Sequence, residues 1–319
     1  MRFILIFTTF IYLYSCEVFY DKNISTYSLI KKYSKNNFSY TESITYLDTN
    51  KIFINNFQNY YLENYKKTNP KNEVLEMLKV YDFPRDLFNK VDISIFSNTD
   101  KTITLQSIIS SYLGGAHGSY EVKLQNFYHK ITINLKDIIT NYNKLLQIAK
   151  QHYKFIHLMK QNQSLVDDGW FENKFILPKN FALTNRGILF YYNSYEIKPY
   201  SYGHTTFMLP YYKIDNLLKL HFNKKPIIFK NKYGKIIVNY DKDKIIFKIK
   251  NFYYTQNEKI YIKIYNYKTI SKEYKDLEYD TYKTIIIKKP KKEIIIDIKV
   301  LFDKNKMPEN QKVYRFSIL

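Results

Sequence analysis

Two histidines in glycine-flanked segments are the residues of this sequence best suited to chemistry. His117 lies in the stretch Tyr112–Tyr120, YLGGAHGSY, which holds three of the 7 glycines of the chain, and His204 directly follows Gly203. If folding brings these segments together, the two imidazoles could form a metal site or an acid–base pair. The acidic partners in polar segments are Asp167, Asp168 and Glu196.

Several familiar catalytic patterns are absent from the sequence. Gly118 is followed by Ser119, so the Gly-Lys-Ser/Thr of a P-loop is missing, and no G-x-G-x-x-G, His-Glu-x-x-His or G-x-S-x-G occurs. His152 and His157 are five residues apart, which places them on different faces of a helix. We therefore expect binding or structural histidines, with no catalytic residue, metal or cofactor. A cell-wall glycan hydrolase that uses His117 or His204 is the alternative.

The tyrosine-rich segment Tyr191–Tyr212 is a second candidate site. Its prolines restrict the backbone, and rigid amphipathic rings are typical of recognition surfaces. An aromatic core would explain the segment equally well, because the chain contains 34 tyrosines. The candidate ligand-binding residues are His117, Tyr195, Tyr200, Tyr202 and His204, and the candidate structural loop residues are Gly114, Gly115, Gly118, Pro199, Gly203 and Pro210.

The amino terminus has the pattern of a lipoprotein signal peptide. Arg2 is its only charge, an apolar run follows over Phe3–Tyr14, and Cys16 comes after a lipobox-like Leu-Tyr-Ser. We expect removal of residues 1–15 and acylation of Cys16, which as the only cysteine has no intrachain disulfide partner. A chance cysteine after an ordinary signal peptide is the alternative. No second apolar segment of about 20 residues follows, so we expect the rest of the chain to be soluble.

The residues after Cys16 bear on the attachment of the protein to a membrane and on which membrane it is. We expect residues 16–40 to form the lipid anchor and a tether that passes into a first strand. Glu17 after the cysteine favours the periplasmic side of the outer membrane. Asn23 lies in Asp-Lys-Asn-Ile-Ser, an extended acidic sequon, and is a glycosylation candidate, although chance also explains so short a motif.

The composition is that of a folded protein with dispersed positive charge. A hydrophobic content of 45% and an aromatic content of 18% exclude a disordered chain, and 319 residues suit one large or two medium domains. The formal net charge of +21 would attract nucleic acid, but the lysines are spread along the chain and no nucleic-acid-binding motif is present. We therefore expect no nucleic-acid partner.

The periodicity of apolar residues predicts an α+β domain over residues 41–223 and a second domain after it. The first has predicted helices at about 50–65, 137–160 and 215–220, predicted strands at 91–96, 102–112, 120–128, 131–135 and 205–211, and a hairpin over 181–193 that turns at 185–187. Residues 224–319 alternate Ile with Lys and Tyr, which predicts a β-sandwich-like domain. We expect its lysines on solvated faces; a dedicated anion-binding groove is the alternative.

Five short segments occur together in one order: Gly114-Gly115-Ala116-His117-Gly118, Leu135-Lys136-Asp137, Tyr195-Glu196-Ile197, Pro199-Tyr200 and Leu209-Pro210-Tyr211. With them, residues 90–220 resemble the RsiV-like envelope domain family, which includes the extracellular region of the anti-sigma factor RsiV and the accessory region of some peptidoglycan deacetylases. The resemblance implies an α+β fold and a non-enzymatic role, since the RsiV region binds lysozyme. This chain departs from RsiV because a lipobox replaces the transmembrane segment, no sigma-binding portion is present, and residues 225–319 are added.

These features together predict a lipid-anchored bacterial envelope protein that binds a protein or a peptidoglycan-related ligand. It would serve as an accessory subunit of an envelope complex, or as a lysozyme-binding or inhibitory protein. Its membrane contact would be the lipid on Cys16. The competing functions are the glycan hydrolase above and a surface adhesin.

Overall fold

The computed structural model describes residues 24–80, 86–220, 227–230, 234–240, 243–251, 257–265, 267–275, 282–302 and 313–318. The expected signal peptide, Cys16, Asn23 and the expected boundary at 223/224 lie outside these residues. The chain is 24% helical and 48% strand, with several sheets, so the predicted α+β class is confirmed. Among the helices of the described ranges, none is both long and apolar enough to cross a bilayer.

A six-stranded sheet forms the first part of the fold. Its strands follow one another in chain order: β1 (Thr26–Lys35), β2 (Phe38–Leu47), β3 (Asp86–Asn98), β4 (Thr102–Tyr112), β5 (Ser119–Tyr128) and β6 (Ile131–Ile133). Only β2 and β3 pair in parallel, because helices α1 (Ile52–Lys67) and α2 (Pro70–Val80) provide the crossover that parallel strands need. Ile54 and Phe57 of α1 pack against Ile44 and Leu105 of the sheet.

The start of this sheet corrects the predicted tether. Thr26–Lys35 pairs along its whole length with Phe38–Leu47, so the tether expected over residues 16–40 is too long at its carboxyl end. The helix predicted at 50–65 is confirmed as α1, and the chain leaves it before Pro70 as expected. Pro70 also begins α2, since proline at the first helical position has no N–H to leave unpaired.

A three-stranded antiparallel sheet with one main helix forms the second part. It contains α3 (Leu135–Ile138), α4 (Tyr142–Ile156), β7 (Phe181–Leu183), β8 (Gly187–Tyr192), β9 (Thr205–Pro210) and α5 (Tyr211–Ile214), with short 3-10 helices at Val166–Asp168, Tyr200–Tyr202 and Asp215–Leu217. The hairpin predicted at 181–193 is confirmed. The apolar stripe of α4, including Leu145 and Tyr153, packs on Phe190 and Phe207 of the sheet.

The single helix predicted at 137–160 is wrong, because two helices occupy that range. Ile139 leaves the helical path to form an isolated antiparallel bridge with Leu218. The side chain of Asn141 then caps α4 by accepting from the N–H of Lys144 at 3.0 Å. At the other end α4 stops at Ile156, and Leu158 adopts a φ of 60°.

Three asparagine side chains join the two sheets by acting as backbone substitutes along β5. The Oδ1 atoms of Asn180 and Asn193 accept from the N–H groups of Leu124 and Val122, at 2.7 and 2.8 Å. Their Nδ2 groups both donate to the Val122 carbonyl, at 2.7 and 3.0 Å. Buried Asn126 makes equivalent bonds to β7. These bonds fix β7, the residue before it and the residue after β8 against β5.

Two four-stranded sheets form the carboxyl-terminal part and share one core. The strands are β10 (Ile227–Lys230), β11 (Gly234–Tyr240), β12 (Lys244–Asn251), β13 (Asn257–Ile264), β14 (Lys268–Lys275), β15 (Tyr282–Lys288), β16 (Ile294–Phe302) and β17 (Val313–Ile318). Their sheet orders are β10-β11-β12-β15 and β14-β13-β16-β17. Alternate isoleucines such as Ile245, Ile260 and Ile285 face one another between the sheets. The predicted β-sandwich-like region is therefore confirmed.

The sandwich contacts the α4 unit around Glu293. Tyr212 Oη donates to Glu293 Oε1 at 2.7 Å, and Lys213 Nζ donates to Oε2 at 2.6 Å. Ile295 is buried in the same core as α4, and half-buried Tyr265 packs beside it.

Candidate functional site

The glycine-rich stretch connects β4 to β5, as the sequence predicts. The hydroxyls of Ser111 and Ser119 hydrogen-bond at 2.6 Å and close the base of the loop. Gly114 has a φ of 90°, and a Cβ on Gly118 would lie 2.9 Å from the Ser111 carbonyl oxygen. Both positions therefore require glycine. Gly115 has only ordinary space around it, with no atom nearer than 3.9 Å.

The two predicted loops meet where His117 contacts Tyr200. Their rings are stacked, with centroids 4.1 Å apart and an interplanar angle of 17°. Tyr200 Oη donates to the Gly118 carbonyl at 3.1 Å, and His117 Nδ1 lies 3.1 Å from that same oxygen. The ring of Tyr195 lies 5.6 Å from that of Tyr200. We call these four residues, together with Tyr202, the loop cluster.

Two tyrosines of the loop cluster project into solvent from constrained backbone. Tyr195 is 58% exposed and has a φ of 67°, in a turn where Glu196 Oε2 accepts from the Asn193 N–H at 2.9 Å. Tyr202 is 57% exposed, and its ring covers Gly169, where a Cβ would lie 2.5 Å from Tyr202 Cζ. Gly169, with a φ of 88°, is a structural residue that the sequence patterns did not indicate.

The loops around Tyr200 also use the predicted prolines. Pro199 precedes the 3-10 helix Tyr200–Tyr202, and Gly203 ends it with a φ of 65°. Pro210 ends β9 and directly precedes α5. Their fixed φ angles hold the segment in place at both ends.

His204 lies beside this cluster in a more buried setting. Its ring packs between Tyr120 and Tyr191, with centroids 4.8 and 5.3 Å away. Burial lowers its pKa to about 4, so the imidazole is neutral near neutral pH, and its buried Nδ1 has no hydrogen-bond partner within the described residues.

The acid–base pair considered from the sequence is not formed. In the described part of the chain, no hydrogen bond links His117 or His204 to each other or to a carboxylate. Within those same residues, no group of three or more His, Cys, Asp and Glu side chains is arranged around a common point that could hold a metal ion. The histidines instead contact tyrosine rings.

A buried ion pair supports the loop cluster from below. Lys198, 6% exposed, donates to Asp168 Oδ2 at 2.8 Å, and Tyr153 Oη donates to the same oxygen. Trp170 Nε1 in turn donates to Tyr153 Oη at 2.9 Å. Lys198 Nζ also lies 5.4 Å from the centre of the Tyr202 ring. Lys198 is buried and Asp168 is half-buried, so breaking the pair costs up to about 3–5 kcal/mol, and the pair fixes the segment that carries Pro199 to Gly203.

The sequence patterns singled out Asp168 but not its partners. The role of Lys198 could have been predicted from its position among the tyrosines of residues 195–202. A charged side chain in a buried aromatic segment needs a counter-ion. Tyr153 and Trp170 carried no signal beyond apolar periodicity.

Residues 134–212 match the family described as a protein of unknown function, DUF3298. Over these residues the chain is similar to the DUF3298 domain, which is the domain found in RsiV-like proteins. The match includes Tyr195, Tyr200 and Tyr202, and it starts after the Gly114–Gly118 loop. No curated protein matches the sequence.

Two solved structures of DUF3298 family members align with part of this chain. The one from Bacteroides fragilis NCTC 9343 aligns with a TM-score of 0.51 and 18% identity, over 62% of this chain and 94% of that chain. The one from Pseudomonas aeruginosa PAO1 gives a TM-score of 0.48 and 17% identity, over 61% of this chain and 94% of that chain. At 18% identity, the similarity to the Bacteroides fragilis structure concerns the fold alone.

Proposed function

We propose that this chain is a lipid-anchored bacterial envelope protein whose DUF3298 domain binds a protein ligand through the loop cluster, without catalysing a reaction. We further propose that the domain is of the RsiV-like kind, with lysozyme as the first ligand to test. Acylation of Cys16 and a periplasmic position at the outer membrane belong to the same proposal and rest on the sequence of the amino terminus.

The observation that carries the proposal is the pair of exposed tyrosines on a rigid support. Tyr195 and Tyr202 present more than half of their surface to solvent, while Tyr200 between them is held by the stacked His117 and the Gly118 carbonyl. Tyrosine has only two side-chain torsions, so an ordered tyrosine loses little entropy on binding. Exposed rings on fixed loops are typical of the residues that dominate protein interfaces.

The surroundings of the histidines favour binding over hydrolysis. Most glycoside hydrolases use a pair of carboxyl groups beside the scissile bond. The one carboxyl group in the turn next to Tyr195 belongs to Glu196, which accepts from the backbone N–H of Asn193. Asp168 is engaged by Lys198 and Tyr153 beneath the loops. These carboxylates therefore hold the loops in place.

The test compares the full chain with a Tyr195→Ala, Tyr202→Ala double variant. Calorimetric titration with lysozyme and, separately, with soluble peptidoglycan fragments measures binding. We expect the double variant to lose lysozyme affinity by about a hundredfold, because truncation of an interface tyrosine typically costs 1–2 kcal/mol or more. Tyr142→Ala removes a tyrosine that is 49% exposed outside the cluster, and should bind as the wild type does.

A His117→Ala, His204→Ala variant separates binding from catalysis. If the wild type releases sugar from cell walls and this variant stops doing so while keeping its circular dichroism spectrum, the glycan hydrolase is the correct function. If the wild type binds neither lysozyme nor wall fragments, the proposed ligand classes are wrong.

A further inference from the structure

The outward side of the sheet β10-β11-β12-β15 carries a concentration of lysines. In β11, β12 and β15 the inward positions are mostly aliphatic, and the outward positions include Lys235, Lys244, Lys248, Lys250 and Lys288. We call this surface the lysine face. The described residues of these three strands include no Asp or Glu.

The strand register places these lysines directly beside one another. Lys235 is opposite Lys250 on β12, and Lys244 is opposite Lys288 on β15. Like charges at opposed positions of an antiparallel pair destabilise the sheet. A surface that accumulates such pairs has a positive potential that favours an anionic partner.

The other sheet of the sandwich shows that lysine content alone does not produce such a face. There Lys259 Nζ forms an ion pair with Glu273 at 2.5 Å, and Lys263 is opposite Asp297 on the neighbouring strand. Its lysines are thus interspersed with carboxylates. Strands β11, β12 and β15, by contrast, contain lysines and no carboxylate.

Aliphatic side chains lie among the lysines of the lysine face. Ile246 is opposite Ile286, which is 62% exposed, and half-buried Ile237 is on the adjacent strand. The lysine stems extend this apolar surface while their ammonium groups remain in water. The result is a surface on which outward-facing isoleucines and lysines are intermixed.

We infer that the lysine face binds an anionic membrane surface, with the lysines on the lipid phosphates and Ile286 at the boundary of the acyl chains. A bilayer offers a flat array of negative charge above an apolar layer, which matches both components of the face. A nucleic acid would also be attracted by the lysines, but it has no apolar layer to receive the exposed Ile286, whereas a bilayer does. This inference does not depend on acylation of Cys16.

The test measures partitioning of the full chain onto vesicles of phosphatidylglycerol and phosphatidylcholine in equal parts, and onto phosphatidylcholine alone. The apolar run of the amino terminus contributes to both, so their difference reports the contribution of positive charge, and the variants assign that contribution to a face. We expect Lys235→Gln, Lys248→Gln, Lys288→Gln to weaken binding to the anionic vesicles about a hundredfold, at about fivefold for each lysine. Raising salt from about 0.1 M to about 1 M should abolish the wild-type preference.

The matched control removes the same charge from the opposite sheet. A Lys259→Gln, Lys263→Gln, Lys299→Gln variant should bind anionic vesicles within a few-fold of the wild type. If both triple variants lose affinity equally, diffuse net charge explains the binding and the inference is wrong.

A second experiment, with duplex DNA in place of vesicles, tests whether the partner is a membrane or a nucleic acid. Ile286→Ser, at an exposed position outside the core, should weaken vesicle binding and leave binding to a duplex DNA unchanged. If duplex DNA binds more tightly than the anionic vesicles, and the lysine-face variant loses that binding, the face is a polyanion site and the membrane inference is overturned.

Discussion

His152 is a buried histidine on α4 whose protonation the structure opposes. Its Nε2 lies 2.9 Å from the Met208 carbonyl oxygen, so Nε2 carries the proton and donates, and Nδ1 is left unprotonated. Burial, together with the nearby charge of Lys213, lowers the pKa of His152 to about 3. Glu293 Oε1 lies 3.9 Å from Nδ1, but this distance is an ion pair only for a protonated imidazole. Since Lys213 and Tyr212 already donate to Glu293, we expect the imidazole to remain neutral.

This lowered pKa makes stability depend on pH in a defined direction. The unfolded histidine takes up a proton below about pH 6.5, whereas the folded one stays neutral until about pH 3. The contribution of neutral His152 is therefore fully present above pH 6.5 and is lost as the pH falls towards 3. Between about pH 7.5 and about pH 5 the loss amounts to about 2 kcal/mol of unfolding free energy.

The variant that tests this is His152→Gln, whose side-chain amide can still donate towards Met208 and does not titrate. Urea unfolding of both proteins at the two pH values is followed through Trp170, which is buried and is the only tryptophan. The variant is expected to be less stable at pH 7.5, because glutamine fills the site less well than imidazole. Between pH 7.5 and pH 5 the wild type should lose about 2 kcal/mol more than the variant.

Equal losses in the two proteins would refute this reasoning. Equal losses would mean that His152 is protonated in the folded protein and paired with Glu293. Replacing Glu293 by Gln would remove that pairing, so the Glu293→Gln protein should lose more stability on acidification than the wild type. If Glu293→Gln also leaves the pH dependence unchanged, the site is more hydrated than the buried ring indicates.

Two further substitutions test how the second sheet is held. Gly187→Ala would place a Cβ against the carbonyl oxygen of Leu209 on the paired strand, which cannot move aside, so we expect a loss of about 3 kcal/mol in urea unfolding. Gly115→Ala, in open space, should change stability by less than about 0.5 kcal/mol, and an equal loss would contradict the steric account. Asn126→Ala removes the acceptor of the Leu183 N–H and should cost about 3 kcal/mol; a loss below about 1 kcal/mol would mean that water replaces the amide.

The fold was predictable wherever a strand or helix buries one side. Strand β15 and the alternating isoleucines of β13 are predicted correctly because their burial alternates from one residue to the next. The sequence predicts a tether where β1 lies, because residues Thr26–Lys35 are mostly exposed and show no alternation. Segment Thr26–Lys35 is a strand because it pairs with β2. Pairing with a separate segment does not require a periodic pattern of apolar residues in the strand's own sequence. The bridge of Ile139 to Leu218 escaped prediction for the same reason.

The exposed residues of the candidate site were predictable from the sequence, whereas the ion pair of Lys198 with Asp168 that holds them was not. Glycine and proline mark positions where the backbone is constrained, so His117 and the Tyr200 segment could be selected before their contact was known. The ion pair of Lys198 with Asp168 joins residues 30 positions apart, and its geometry depends on the packing of α4. Polar contacts across long sequence separations carry little sequence signal, because any of many lysines could satisfy one carboxylate.

The two proposed surfaces can be tested independently because they rest on different cores. The loop cluster is built on the core of α4 and β7 to β9, and the lysine face on the isoleucine core of the sandwich. Substitutions without shared partners act additively. The triple glutamine variant of the lysine face must therefore keep its affinity for a protein ligand in solution, and the Tyr195, Tyr202 variant must keep its partitioning onto anionic vesicles. If either variant alters both activities, the contact around Glu293 couples the two parts of the chain, and Glu293→Gln should then remove the coupling.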